Sequence, residues 1–200
     1  VVPMRRGAGV IAVPPVPAVV QRRTLKPIPV KVVPAAARPR TAIADTSKPR
    51  GACRSTRVGF SVFGVAWDAS GYREYIEAPL SAPLVANVTY TVKFYVSLSD
   101  NSDTAIDRLG AHLRVGPTGP LAITTDLSFV PQVESPGGTY LTDKVNWMLI
   151  SGTFVAAGGE NHIVIGNFHD NANTSTTNVG GLFQGGDFYY IDDVSVESKA

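Results

Sequence analysis

Val88-Thr89-Tyr90-Thr91-Val92-Lys93-Phe94-Tyr95-Val96-Ser97-Leu98 sets apolar side chains at every second position. In an extended chain successive side chains leave on opposite faces. Val88, Tyr90, Val92, Phe94, Val96 and Leu98 therefore share one face, and Thr89, Thr91, Lys93, Tyr95 and Ser97 share the other. This period of two predicts a strand with one face in a core and the other toward water, as in an antiparallel sandwich.

Working outward, further strands are expected over 60–67, 72–78, 110–115, 128–133, 147–155, 162–168 and 188–197. Between them stand Gly116-Pro117, Pro136-Gly137-Gly138, Gly158-Gly159 and Gly180-Gly181, residues that turn the chain. No segment combines a helical period with caps, and no internal repeat is present. Many short strands separated by turns predict an all-β protein, an antiparallel β-sandwich of jelly-roll type. The 200 residues suffice for one such domain with a full core.

The closing stretch, Phe188-Tyr189-Tyr190-Ile191-Asp192-Asp193-Val194-Ser195-Val196-Glu197, carries two adjacent carboxylates inside a strand pattern. Counting by twos puts Tyr190, Asp192, Val194 and Val196 on one face, so Asp192 is expected to point toward the core. A buried, ionised Asp costs several kcal/mol unless a cation, an Arg or several donors satisfy it. That points to a structural metal site or a buried polar anchor. A register shifted by one instead turns Asp193 and Ser195 inward near an edge and leaves both acids solvated.

The first 59 residues differ from the rest. They consist largely of Val, Ala, Pro, Arg and Gly, without an aromatic residue, and Pro recurs too often for a helix or central strand. Through Arg50 ten Lys or Arg face the single Asp45, a net charge of +9; the whole chain carries +2, so the remainder stands at −7. The expected organisation is a basic extended arm, 1–59, ahead of a β-sandwich domain, 60–200. The arm reads as polyproline-like or disordered, able to lie on an acidic surface, or as a solvated tail. It also reads as GC-rich codons translated out of frame. The lone Cys53 excludes an internal disulfide, and no Cys/His cluster has zinc-ligand spacing. No run of about 18 apolar residues exists to span a bilayer, and Pro3, Pro14, Pro15 and Pro17 break any signal-peptide core.

Four blocks carry a family resemblance: Tyr72-Arg73-Glu74-Tyr75-Ile76; Pro83-Leu84-Val85-Ala86 with 90–97; Trp147-Met148-Leu149-Ile150-Ser151-Gly152-Thr153-Phe154; and 190–196. In this order, from about Trp67 to Val196, they resemble the carbohydrate-binding-module type of jelly roll, as found in secreted and surface proteins of Bacteroidota. The resemblance implies a non-catalytic module, secreted or at the cell surface, whose partner is a polysaccharide or cell-surface glycan. It also implies a structural calcium that pins the first strand to the last through an Asp of the closing strand, here Asp192, with Asp193 as the register alternative. The usual opening strand of such modules is not recognisable in 1–59, which leaves the sandwich short of one or two strands unless the arm supplies them.

Sugar-binding modules use rings as platforms for the apolar faces of pyranoses, with polar neighbours fixing the hydroxyls. Trp67, Tyr72, Arg73, Glu74 and Tyr75 form such a group: Trp67 and Tyr72 as platforms, Arg73 and Glu74 as hydroxyl partners. Rings at a strand end also pack on cores, and Trp147 is read as core. The polar loop 168–176 offers His169 and Asn171 to hydroxyls or to a hard cation, although Asn and Asp equally serve plain turns. The acidic run from Asp100 to Asp107 reads as a solvated turn.

No catalytic signature is present. Glu74 and Glu77 would face opposite sides of a strand, and neither a nucleophile elbow nor a phosphate loop occurs; His112, His162 and His169 lack a local nucleophile. The expectation is a binding module and not an enzyme. The alternative is an adhesion or fibre subunit that self-assembles by inserting its arm into a neighbour's sheet. Attachment to nucleic acid or another anionic surface through the arm is the weaker third reading.

Overall fold

The alternating segment becomes the central strand of its sheet. The computed structural model describes residues 30–31, 62–118, 127–182 and 186–199. Among them eleven strands and no helix are found. They are β1 (Val30–Lys31), β2 (Val62–Asp68), β3 (Ile76–Pro79), β4 (Thr89–Leu98), β5 (Thr104–Ile106), β6 (Gly110–Arg114), β7 (Val133–Glu134), β8 (Met148–Val155), β9 (His162–Gly166), β10 (Thr176–Asn178) and β11 (Gly186–Ser198). One sheet runs β1-β11-β4-β8, with β2 also against β11; a second runs β3-β9-β6-β7; β5 and β10 form a short ribbon. Every pairing is antiparallel except β1 on β11.

The two larger sheets bury their inner faces against each other. Tyr90, Val92, Phe94, Val96 and Leu98 of β4 join one core with Ala111 and Leu113 of β6 and Ile163 and Ile165 of β9. Each such aliphatic or aromatic side chain withdrawn from water contributes about 1.5–3 kcal/mol. The sheets approach closely at Gly152, where a Cβ would lie 3.1 Å from both methyls of Val133. Tyr189 ties β11 to the β5 segment: its hydroxyl donates to Leu141 O at 2.8 Å and accepts the Ile106 N–H at 3.1 Å. Burial pushes that phenol far above its usual range, so it stays neutral.

Several expectations shift. The strand expected over 72–78 begins only at Ile76, because the preceding residues turn back onto β2. Of the strand expected over 128–133 only Val133 pairs, continuing to Glu134. Thr104–Ile106, read as part of a solvated turn, pairs with Thr176–Asn178, which starts at the last residue of the polar loop 168–176. Asp107 is buried; its carboxylate accepts the N–H groups of Gly138 at 2.7 Å and Ser175 at 3.0 Å. Trp147 is half-buried and outside the apolar core. Of the arm, Val30 and Lys31 lie parallel to Val196 and Glu197 of the same chain. The rest of 1–59 falls outside the described residues.

The closing strand departs from simple alternation for one reason. Against β4, Asp192 stands opposite Tyr95 and Ser195 opposite Lys93, so Asp193 and Val194 together face Phe94. This bulge adds one residue and moves the register by one. Asp193 takes it with φ of 49°, a left-handed conformation that Asp tolerates better than most residues. Upstream of the bulge Asp187, Tyr189 and Ile191 face the core, while Tyr190 and Asp192 share the outer face with Ser97 and Tyr95. The inward placement expected for Tyr190 and Asp192 is therefore corrected; that of Val194 and Val196 holds. The shifted register fares no better, since Asp193 is exposed and Ser195 lies with Lys93 on the outer face.

Candidate functional site

Residues 68–75 leave β2, reverse and enter β3, and their polar groups close on one another. Asp68 Oδ1 accepts the Tyr72 N–H and the Ser70 hydroxyl, both at 2.7 Å. Glu74 lies along the free edge of β2: its N–H donates to Val65 O at 2.8 Å, and its Oε2 accepts the Val65 N–H at 2.9 Å. Its other oxygen takes the Tyr72 hydroxyl at 2.9 Å. Burial, reinforced by that bond to Glu74, pushes the Tyr72 phenol up to about 12.

Arg73 is buried, and it joins this turn to the loop after β9. Its Nη2 donates to Asn171 Oδ1 at 2.5 Å and to His169 O at 3.4 Å, and its Nη1 donates to Tyr72 O at 3.0 Å. Asn171 returns the link, its Nδ2 donating to Asp68 O at 3.0 Å and Ala69 O at 3.3 Å. Tyr72, Arg73, Glu74, His169 and Asn171 are thus gathered, with Trp67 packed on the core beside them. Of the groups expected to hold sugar hydroxyls, Arg73 and Asn171 bond each other, Glu74 bonds Tyr72, and the His169 ring bonds Glu134. The arrangement is a knot that fixes two loops.

Asp187 supplies the inward acid of β11. It is 0 % exposed and stands opposite Trp67 in the β2 pairing. The Thr104 hydroxyl donates to its Oδ1, while Oδ2 has no hydrogen-bond partner, and neither has the buried Nε1 of Trp67. Burial pushes the Asp187 carboxyl up to about 6; the Thr104 bond opposes this, Asp103 adds to it, and Arg73 opposes it again. Asp192 is buried as well, but on the outer face; the core-facing carboxylate of the strand lies five positions upstream of it. The strand pattern had begun at Phe188, one residue too late to include it.

Asp192 itself is 7 % exposed, and its Oδ1 accepts the N–H of Asp193 at 2.8 Å. Calcium takes six to eight oxygens, usually from several acids and carbonyls. Among the described residues no three of His, Cys, Asp and Glu gather to hold a metal ion. Asp192 and Asp193 by themselves do not fit the calcium that the resemblance implied.

A second ring-bearing surface covers the outer face of the four-stranded sheet. Leu113 and Ala111 turn inward on β6, so His112 and Arg114 turn outward. Phe129, in the described residues 127–132 of the β6–β7 connection, stacks on His112 with centroids 4.5 Å apart and interplanar angle 25°. Phe168 lies 6.2 Å from both rings and 5.5 Å from Tyr75. The Arg114 guanidinium sits 5.3 Å from the Phe129 centroid. Tyr75 braces this layer, its hydroxyl donating to Asn167 O at 2.9 Å and accepting the Leu127 N–H at 2.8 Å.

The charges around these rings are unevenly engaged. His169 Nε2 meets Glu134 Oε1 at 2.8 Å, and Arg108 Nη1 meets the other Glu134 oxygen at 3.0 Å. Glu77 accepts the Thr118 N–H at 2.7 Å and its hydroxyl at 3.1 Å. Among the described residues the Arg114 guanidinium has neither a hydrogen bond nor an ion pair. Burial pushes the His112 pKa down, helped by Arg114 and opposed by the bond to Val130, so the ring is neutral at pH 7. Its Nδ1 is 3.0 Å from Val130 O, which can only accept; the proton therefore sits on Nδ1 and a lone pair on Nε2. Alternation in Gly110-Ala111-His112-Leu113-Arg114 was the one sequence signal for this face, and His112 had been weighed only as a catalytic group.

A scan against known protein families finds no match, and a search of curated proteins finds none. Among solved structures, the CBM22-1 xylan-binding domain from Paenibacillus barcinonensis Xyn10C is similar at 15 % identity and a TM-score of 0.32, covering 72 % of this chain and 88 % of that one. No argument about ligand is drawn from a likeness of that size.

Proposed function

We propose that this chain is a non-catalytic glycan-binding module whose contact surface is the outer face of the four-stranded sheet. The observation that carries the reading is the stacked pair His112–Phe129 beside the Arg114 guanidinium, which among the described residues contacts the Phe129 ring but has no hydrogen bond or ion pair. A half-buried ring offers its flat face to the C–H groups of a pyranose, while Arg114 donates to hydroxyl oxygens and His112 Nε2 accepts a hydroxyl proton. The acids of this face, Glu77 and Glu134, are both occupied by donors. Recognition and not bond cleavage is the chemistry offered. The resemblance to secreted and surface modules supports an extracellular setting, with 60–200 as the binding domain and 1–59 as its basic appendage.

Affinity electrophoresis through a panel of neutral and acidic polysaccharides tests the reading. Retardation of the native chain, lost on Phe129→Ala and reduced on Arg114→Ala, is the expected result. Absence of retardation on every polysaccharide overturns it. A fibre or adhesion role has one observation in its favour, the parallel seat of Val30 and Lys31 along β11, which an arm from a neighbouring chain could take instead.

A further inference from the structure

Sheet edges are where one chain can add to another, and folded proteins usually guard them with charge, Pro, short length or a covering group. Three edges of this molecule are guarded in those ways. On β2, Glu74 occupies both the N–H and the C=O of Val65. The β3 edge is four residues long and ends on Pro79, and β7 has two residues. Among the described residues no such device is present on β8. Met148-Leu149-Ile150-Ser151-Gly152-Thr153-Phe154-Val155 is eight residues long, with no charge and no Pro, and pairs with β4 in unbroken register. Among the described residues no backbone bond outside the β4 pairing reaches it. Leu149 and Val155 stand on its outer face, 50 % and 63 % exposed.

We propose that β8 pairs antiparallel with β8 of a second copy of this chain, about a two-fold axis perpendicular to the sheet and midway between Gly152 of the two copies. Such an axis keeps the outer face of both copies on one side, so only residues of like parity can stand opposite one another. Centred on Gly152, it sets Leu149 against Val155 of the second copy, Ser151 against Thr153, and Ile150 against Phe154. Both exposed apolar side chains are then covered, twice over by symmetry, and hydroxyls meet hydroxyls between them. With no charge along the strand, nothing repels the second copy. This self-complementarity singles out a second copy over an unrelated peptide, for which the strand holds no selective group. The result is one sheet continuous across the dimer.

Sedimentation of the full chain over a concentration series tests the proposal. The native chain is expected to dimerise. Leu149→Lys with Val155→Lys places like charges opposite each other at both ends, and should weaken the dimer more than about tenfold. Leu149→Lys with Val155→Glu places opposite charges there and should restore it. Because the two positions lie at opposite ends of one strand, the last two variants differ only if the strands of two copies meet in this register. A native chain that stays monomeric overturns the proposal, as does a dimer that survives the Lys/Lys variant or one that Lys/Glu fails to restore. Assembly through the arm would leave all three proteins alike.

Discussion

Rings meet charged groups in two places on this fold, and the two places differ in what their polar atoms are doing. Around Arg73 every hydroxyl, amide and carboxylate quoted above bonds to another part of the chain, and the guanidinium is buried. Around Phe129 one guanidinium and one imidazole nitrogen turn outward, and among the described residues neither has a hydrogen bond. A buried network bonded largely within itself rigidifies, whereas a donor and an acceptor without hydrogen bonds beside a half-exposed ring recognise. The first region is therefore read as structure and the second as contact surface, although residue type alone favoured the first for both roles.

The contrast is easiest to break at its strongest point. Arg73→Ala leaves Asn171 and two carbonyls without their donor, and should cost about 3–5 kcal/mol of unfolding free energy in urea titration. A loss under about 1 kcal/mol would mean that the knot does not hold these loops. Next comes Asp187→Asn. Because the folded-state pKa of Asp187 is raised from 3.8 to about 6, the folded chain keeps a proton that the unfolded chain releases in that window. Its contribution is therefore fully present below about pH 4 and declines as pH rises toward 6, by up to about 3 kcal/mol. The Asn variant lacks this decline, so it should gain on the native chain by that order between pH 4 and 7.5. Equal slopes for the two proteins would remove the buried acid from the account.

Smaller effects sharpen the comparison. Tyr75 borders both regions, and a Cβ on Gly166 would lie 2.5 Å from its ring and 3.2 Å from Glu74 O. Gly166→Ala should cost about 1–3 kcal/mol and weaken glycan retention as well, since the ring that braces Phe168 must move. Retention unchanged at lower stability would show that the two regions are mechanically separate. Phe129→Ala is expected to cost the least stability, about 1 kcal/mol, yet to remove retention. A large loss of stability with retention intact would invert the assignment of the two regions.

Period two was enough to place β4, β6, β8, β9 and β11 and to exclude helices, because the strand pattern depends only on neighbours along the chain. It failed at 192–194, where one inserted residue turned Tyr190 and Asp192 outward and made Asp187 the inward acid. A bulge is settled by what the partner strand presents, here Phe94, and no count along one strand contains that. The short pair β5–β10 escaped for a similar reason, since each half is three residues whose pairing is with a segment about 70 positions away. The group Trp67 to Tyr75 with His169 and Asn171 was legible as a group. Its role was not, because whether Arg73 meets a ligand or Asn171 depends on how two distant loops close.

The sequence by itself determined an all-β chain, the inward face of its central strand, the absence of an internal disulfide and the sharp change of charge after the first 50 residues. These follow from side-chain alternation and composition, which are local. Only the tertiary structure decided which acid of the closing strand faces the core, which rings face outward and which strand edge the described residues leave unguarded, because each depends on residues far apart in the chain meeting in space.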